Sequence, residues 1–220
     1  MDYRLENRKF NIYKMNEIDH FNGGTLYNYK NCVVKIYDKD FEDKHDVNTY
    51  RSLSKIKSLR VYMPMKLVFA NNKFCGYSLK RLDKTGNYSR IISTPKDYLL
   101  DSLFYLEEEV KYISDKGVVF NDLDYDDVYY NGDFTICNPD KYMLLNSKSD
   151  FIYDTNLLEL NSILGKLITQ ELNAENITKK NIINFNNILR DKDIYQSNCE
   201  YLDELLTDHK DIRSYVKTLK

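Results

Sequence analysis

Residues 118–142 read VVFNDLDYDDVYYNGDFTICNPDKY. An apolar run suited to a buried strand leads into four aspartates within six positions, Asp122, Asp124, Asp126 and Asp127. A tight Asn-Gly turn and a second β-rich run follow, closed by Asn138-Pro139-Asp140. Like charges repel, and a surface loop has no packing reason to gather them. A divalent cation, or chemistry that moves a proton, supplies a reason. A calcium loop of the EF-hand type also uses several carboxylates, but here its terminal bidentate glutamate and its glycine at the sixth position are missing. An acidic solvated turn is the plain alternative.

The flanks of this segment read as helices. Residues 96–116 place Leu99, Leu103, Leu106, Val110 and Ile113 on one face. Downstream, TNLLELNSILGKLITQEL (155–172), TKKNIINFNNILRD (178–191) and YLDELLTDHKDIRSYVKTL (201–219) keep the helical period, the second behind Thr178, whose hydroxyl suits an N-cap. The N-terminal part differs. FNIYKM (10–15), GTLYNY (24–29), NCVVKIYD (31–38), MKLVFA (65–70) and FCGYSLKRL (74–82) are short β-rich runs, with turn formers NGG, YKN and NNK between the pairs. They predict an antiparallel meander. One helix interrupts it over 41–56, where Val47, Tyr50, Leu53 and Ile56 recur every three residues. The expected fold is α+β, a sheet-rich part over 1–82 and a mainly helical part over 83–220.

Bulk properties narrow the function classes. With 220 residues and 42% hydrophobic side chains, the chain has ample material for a core. Its 32 basic and 34 acidic residues nearly cancel, so the whole-chain charge points to neither nucleic acid nor an anionic membrane. The start lacks the apolar core of a signal peptide and no apolar run reaches bilayer-spanning length, which predicts a cytoplasmic protein without a membrane span. Cys32, Cys75, Cys137 and Cys199 are far apart with no C-x-x-C pair and read as buried thiols rather than a disulfide or zinc framework.

Taken in order, these segments resemble the protein-kinase superfamily. NGGTLYNYKNCVVKIY (22–37) resembles the glycine-rich turn and the lysine strand, CGYSLKRL (75–82) the strand entering the hinge, and residues 118–140 the catalytic loop, a short hairpin and the metal-binding triplet. The resemblance implies a bilobal fold with ATP and Mg²⁺ as cofactors. Lys35 would reach the α- and β-phosphates, Gly23 and Gly24 would let backbone N–H groups approach phosphate, and the backbone of Lys80 and Leu82 would hold adenine. Asp122 matches the catalytic aspartate that accepts a substrate hydroxyl proton, and Asp127 takes the place of the metal-holding asparagine.

The departures are as informative. The glycine turn has two glycines rather than three, and Phe120-Asn121-Asp122 stands for the histidine-arginine-aspartate triplet. Asn138-Pro139-Asp140 replaces aspartate-phenylalanine-glycine, leaving Asn138 and Asp140 as alternatives for the second metal ligand. Asp46, with Glu42 behind it, is the candidate partner of Lys35, and Asn156 stands where the family's long buried helix has aspartate. The stretch between Asp140 and Asn156 is too short for an ordinary activation segment. The resemblance therefore implies an atypical phosphotransferase acting on a protein hydroxyl. The alternatives are a pseudokinase that binds a regulatory protein partner, or a small-molecule kinase.

Overall fold

The computed structural model describes residues 3–6, 8–20, 23–39, 45–82, 90–175, 177–193 and 196–219. The architecture is α+β, and the chain divides into two compact units, Met1–Ser58 with Tyr62–Asp83, and Leu59–Val61 with Lys84–Lys220.

The first unit carries β1 (Tyr3–Leu5), β2 (Arg8–Phe10), β3 (Asn16–His20), β4 (Gly24–Tyr29), β5 (Cys32–Tyr37), α1 (Val47–Leu53), β6 (Lys66–Ala70) and β7 (Lys73–Lys80). Its seven strands form one antiparallel sheet in the order β2-β1-β6-β7-β5-β4-β3. Side chains alternate across it. From β5, Val34 and Ile36 enter a core with Leu5, Val68 and Cys75, whereas Tyr37 joins Tyr50 of α1, Leu67 and Tyr77 in a second, aromatic one. Lys35 shares the face of Tyr37, its ammonium 5.8 Å from the centre of that ring.

Two expectations change here. The run 10–15 is not a strand: β2 ends at Phe10, and Ile12–Lys14 is a 3-10 turn capped by the Asn11 side chain, which accepts from Tyr13 N at 3.0 Å. The strand lies one step on, in NEIDH, whose five residues are all exposed, so no apolar alternation betrays it; pairing with β4 makes it. In 41–56 the described helix is α1, which stops at Leu53; residues 40–44, Glu42 among them, lie outside the described set.

The second unit contains α2 (Lys96–Ser114), β8 (Val118–Phe120), β9 (Val128–Tyr130), β10 (Phe134–Ile136), β11 (Tyr142–Leu144), α3 (Ser149–Asn173), α4 (Lys179–Arg190), α5 (Asn198–Leu205) and α6 (Ile212–Val216). Leu99, Leu103, Leu106, Val110 and Ile113 of α2 are all buried, as their spacing predicts, and each contributes about 1.5–3 kcal/mol of hydrophobic stabilisation. Thr178 caps α4 by accepting from Asn181 N at 3.3 Å. The helix expected from 155 begins at Ser149, burying Ile152 in its added turn. The helix expected over 201–219 is two: α5 ends at Leu205, and Asp211 starts α6 by accepting from Ser214 N at 2.6 Å. The strands form two small antiparallel pairs, β9 with β10 and β8 with β11. No helix among the described residues is long and apolar enough to cross a membrane.

Candidate functional site

In the second unit, β8 delivers the chain into the aspartate-rich loop, and the loop's backbone is tied down residue by residue. Phe120 N donates to Asn156 Oδ1 at 2.7 Å, Asn121 N to the Lys141 carbonyl at 2.8 Å, Leu123 N to Glu159 Oε2 at 3.3 Å, Asp124 N to Asp127 Oδ2 at 2.8 Å and Tyr125 N to Asp124 Oδ1 at 2.8 Å. Two of these acceptors, Asn156 and Glu159, project from α3. They straddle Asp122, which adopts the left-handed conformation with φ 57, a geometry that costs a non-glycine residue roughly 1–2 kcal/mol. The anchored neighbours hold that turn. Asp122 consequently presents a side chain 90% exposed, 3.5 Å from the ammonium of Lys141.

Asp127 has the opposite environment. It is fully buried at the end of the 3-10 turn Tyr125–Asp127, and its two carboxylate oxygens accept from Asn138 Nδ2 at 2.7 Å and from Asp124 N at 2.8 Å. Burial pushes its carboxyl above the ordinary range, opposed by these hydrogen bonds and by Lys141. The β9–β10 hairpin is what returns the chain to bring Asn138 there. Asn138 is itself buried and caps the turn Pro139–Lys141, its Oδ1 accepting from Asp140 N at 3.3 Å. Asp140 lies on that turn, half-buried. Asn138 is thus a triplet residue whose side chain bonds Asp127 directly.

These groups do not fit a divalent cation as they stand. Mg²⁺ demands several oxygen ligands in near-octahedral array. Here an amide N–H points at the buried carboxylate, and no group of three or more acidic, histidine or cysteine side chains suited to a metal occurs among the described residues.

Behind the loop, Asn156 is fully buried. Besides accepting from Phe120 N, its Nδ2 donates to the Val118 carbonyl and to Ser114 Oγ, both at 2.9 Å, so one side chain ties α2, β8 and α3 together. An amide can donate and accept at once; a carboxylate cannot. Beside the loop an open groove of about 1020 Å³ runs between α3 and α4, with Asp124 and Tyr125 at its loop end and Lys166, Arg190 and Lys192 along it. Burial draws the Lys192 ammonium down to about 8, against the pull of Glu107 and Asp193.

In the first unit, Lys35 is 2% exposed, with its stem against Gly24, where an added Cβ would stand 3.1 Å from Lys35 Cε and 2.7 Å from the Ile36 carbonyl. Gly23 makes the turn into β4 with φ 67. Lys80 ends β7 opposite Cys32, its ammonium 5.4 Å from the Tyr62 ring centre; half-buried Leu82 closes the described stretch. Asp46 is the N-cap of α1: its carboxylate accepts from Asn48 N, Thr49 N and the Thr49 hydroxyl, which hold its pKa down. Its described contacts are therefore with the helix start rather than with Lys35.

Two residues at the loop escape a reading of the sequence. Lys141 follows the triplet with no motif to mark it, and Glu159 sits on a helix whose other face attracts attention; only the fold brings them to Asp122 and Leu123. A scan against models of known protein families finds no match, and no curated protein matches the chain.

Proposed function

We propose that the chain is a kinase-like module that acts by binding a protein partner rather than by phosphoryl transfer. The observation that carries this reading is the hydrogen bond between Asn138 and Asp127. Relative to the kinase pattern the chain has asparagine and aspartate exchanged between loop and triplet, and the exchange leaves the carboxylate buried and engaged by protein donors. The kinase resemblance itself rests on the ordered motifs around Lys35, Asp122 and Asn138. The test is phosphate transfer from radiolabelled ATP to a generic protein, with ATP-induced thermal shift measured with and without Mg²⁺. The expected result is no transfer. Transfer by the natural chain that disappears in Asp122→Asn would overturn the proposal.

A second reading, an atypical phosphotransferase acting on a protein hydroxyl with ATP, is favoured by Asp122. Its carboxylate is exposed on an anchored backbone beside Lys141, as a group accepting a substrate hydroxyl proton needs to be. Under this reading Lys35→Met weakens ATP binding while the fold persists, and Asp122→Asn abolishes transfer while sparing ATP binding. An unaltered ATP affinity in folded Lys35→Met removes the nucleotide role of Lys35 from this reading.

A further inference from the structure

The exposed face of α2 carries a regular pattern that the loop chemistry does not use. Tyr98, Asp101, Tyr105, Glu108, Tyr112 and Asp115 recur at alternating steps of three and four, and all six are exposed. Residues at this spacing share one helix face, so aromatic and acidic side chains alternate along a stripe of about 25 Å. Phe104 extends it on one side, and Leu59, 75% exposed, is tied to the same helix by its N–H, which donates to Glu109 Oε2 at 3.1 Å. Tyrosine rings attract cations to their faces, and two of these rings already do so. The Arg60 guanidinium lies 5.3 Å from the centre of Tyr105 and the Lys116 ammonium 5.4 Å from that of Tyr112.

We propose that this stripe docks an arginine- and lysine-rich segment of a partner protein. The partner's aliphatic stems would lie against the rings, its cations over the ring faces and beside Asp101, Glu108 and Asp115. Charge decides between occupants. A second copy of this face would oppose acid with acid, and nucleic acid would bring phosphates onto a carboxylate row, both repulsive. A basic segment complements every step of the stripe. Asp97 and Glu109 add to the acidic field, and Arg60, Lys111 and Lys116 reduce it without interrupting the six positions. The proposal extends the partner-binding reading by naming a surface and a partner chemistry, and its test reads peptide binding alone, so it can fail while the reading of Asp127 and Asn138 stands.

Fluorescein-labelled nona-arginine, nona-lysine and nona-glutamate are the probes, titrated with the full chain at low salt and followed by anisotropy. Nona-arginine should bind most tightly, nona-lysine more weakly, because guanidinium stacks on aromatic rings better than ammonium does, and nona-glutamate not at all. Replacing Tyr98, Tyr105 and Tyr112 by Leu should weaken nona-arginine about tenfold and erase its advantage over nona-lysine. The amide variant Asp101→Asn, Glu108→Gln, Asp115→Asn should weaken both and flatten the salt dependence. An equal loss from the control Glu17→Gln, Glu204→Gln, Asp208→Asn, or no loss in the leucine variant, overturns the proposal, as does a dimer at assay concentration that the leucine variant dissolves. Carbodiimide coupling of nona-lysine to the natural chain needs no variant to fold. It should map to Asp101, Glu108 and Asp115, and coupling confined to other carboxylates refutes the site.

Discussion

Asp127 and Asn138, eleven positions apart, meet through a 2.7 Å hydrogen bond from the amide to the carboxylate, both side chains buried. Each also caps or closes a 3-10 turn, so the pair fixes the register between the aspartate-rich loop and the triplet.

That complementarity predicts a rescue. Asn138→Asp sets a second carboxylate against Asp127 and should cost about 3 kcal/mol at pH 7. Asp127→Asn turns an amide N–H toward a donor, either Asn138 Nδ2 or Asp124 N, and should cost about 1–3 kcal/mol. The double exchange, Asp127→Asn with Asn138→Asp, restores one donor and one acceptor at every contact and should return stability to within about 1 kcal/mol of the natural chain. Urea denaturation of the four proteins decides it; additive losses in the double variant would show that the pair does not act as a unit.

The pH dependence of the same pair has a definite sign. Burial raises the native carboxyl of Asp127 above its ordinary value of 3.8. The native state therefore binds more protons than the unfolded chain between that value and the raised one, and this group's contribution is full below 3.8 and declines as pH climbs through the window. Relative to Asp127→Asn, the natural chain should lose stability from pH 4 upward and level off once the native carboxyl is ionised. A gain over that range would mean that hydrogen bonding outweighs burial.

Asn156 should tolerate neither aspartate nor alanine. Asn156→Asp puts oxygen against the Val118 carbonyl, and Asn156→Ala strands Phe120 N; either change should lower stability by about 2–4 kcal/mol. Thermal unfolding checks the size. The cause is checked by the hydrogen-exchange protection of Phe120 N and Leu123 N, which should fall further than that of the first unit's sheet.

The two glycines beside β5 should rank in a fixed order. Gly24→Ala crowds the Ile36 carbonyl at 2.7 Å and should cost about 1–3 kcal/mol. At Gly76, with φ 156, an added Cβ would collide with the Lys35 carbonyl itself, so Gly76→Ala should cost more. A smaller loss at Gly76 in equilibrium unfolding would mean that β7 yields to the added methyl.

What the sequence determined by itself is the local pattern. Period-two runs placed β4, β5, β6 and β7, the apolar faces placed α2 and α4, and Thr178 marked a helix start, because these depend on residues within a few positions of one another. The strand at 16–20 was hidden because only its neighbour β4 makes it one. The aspartate-rich loop stood out in the sequence, since four carboxylates so close together are conspicuous in any fold.

Tertiary structure decided the surroundings of Asp122 and Asp127. Asp122 and Asp127 carry the same functional group, yet one is held out by backbone bonds to Asn156, Lys141 and Glu159 while the other is buried against Asn138. That Asn138 reaches Asp127 depends on where a hairpin returns the chain, and the hydrogen bonding of Asn156 on a contact 36 positions away. Such pairings are set by packing between elements, and no local propensity encodes which buried donor an oxygen will meet.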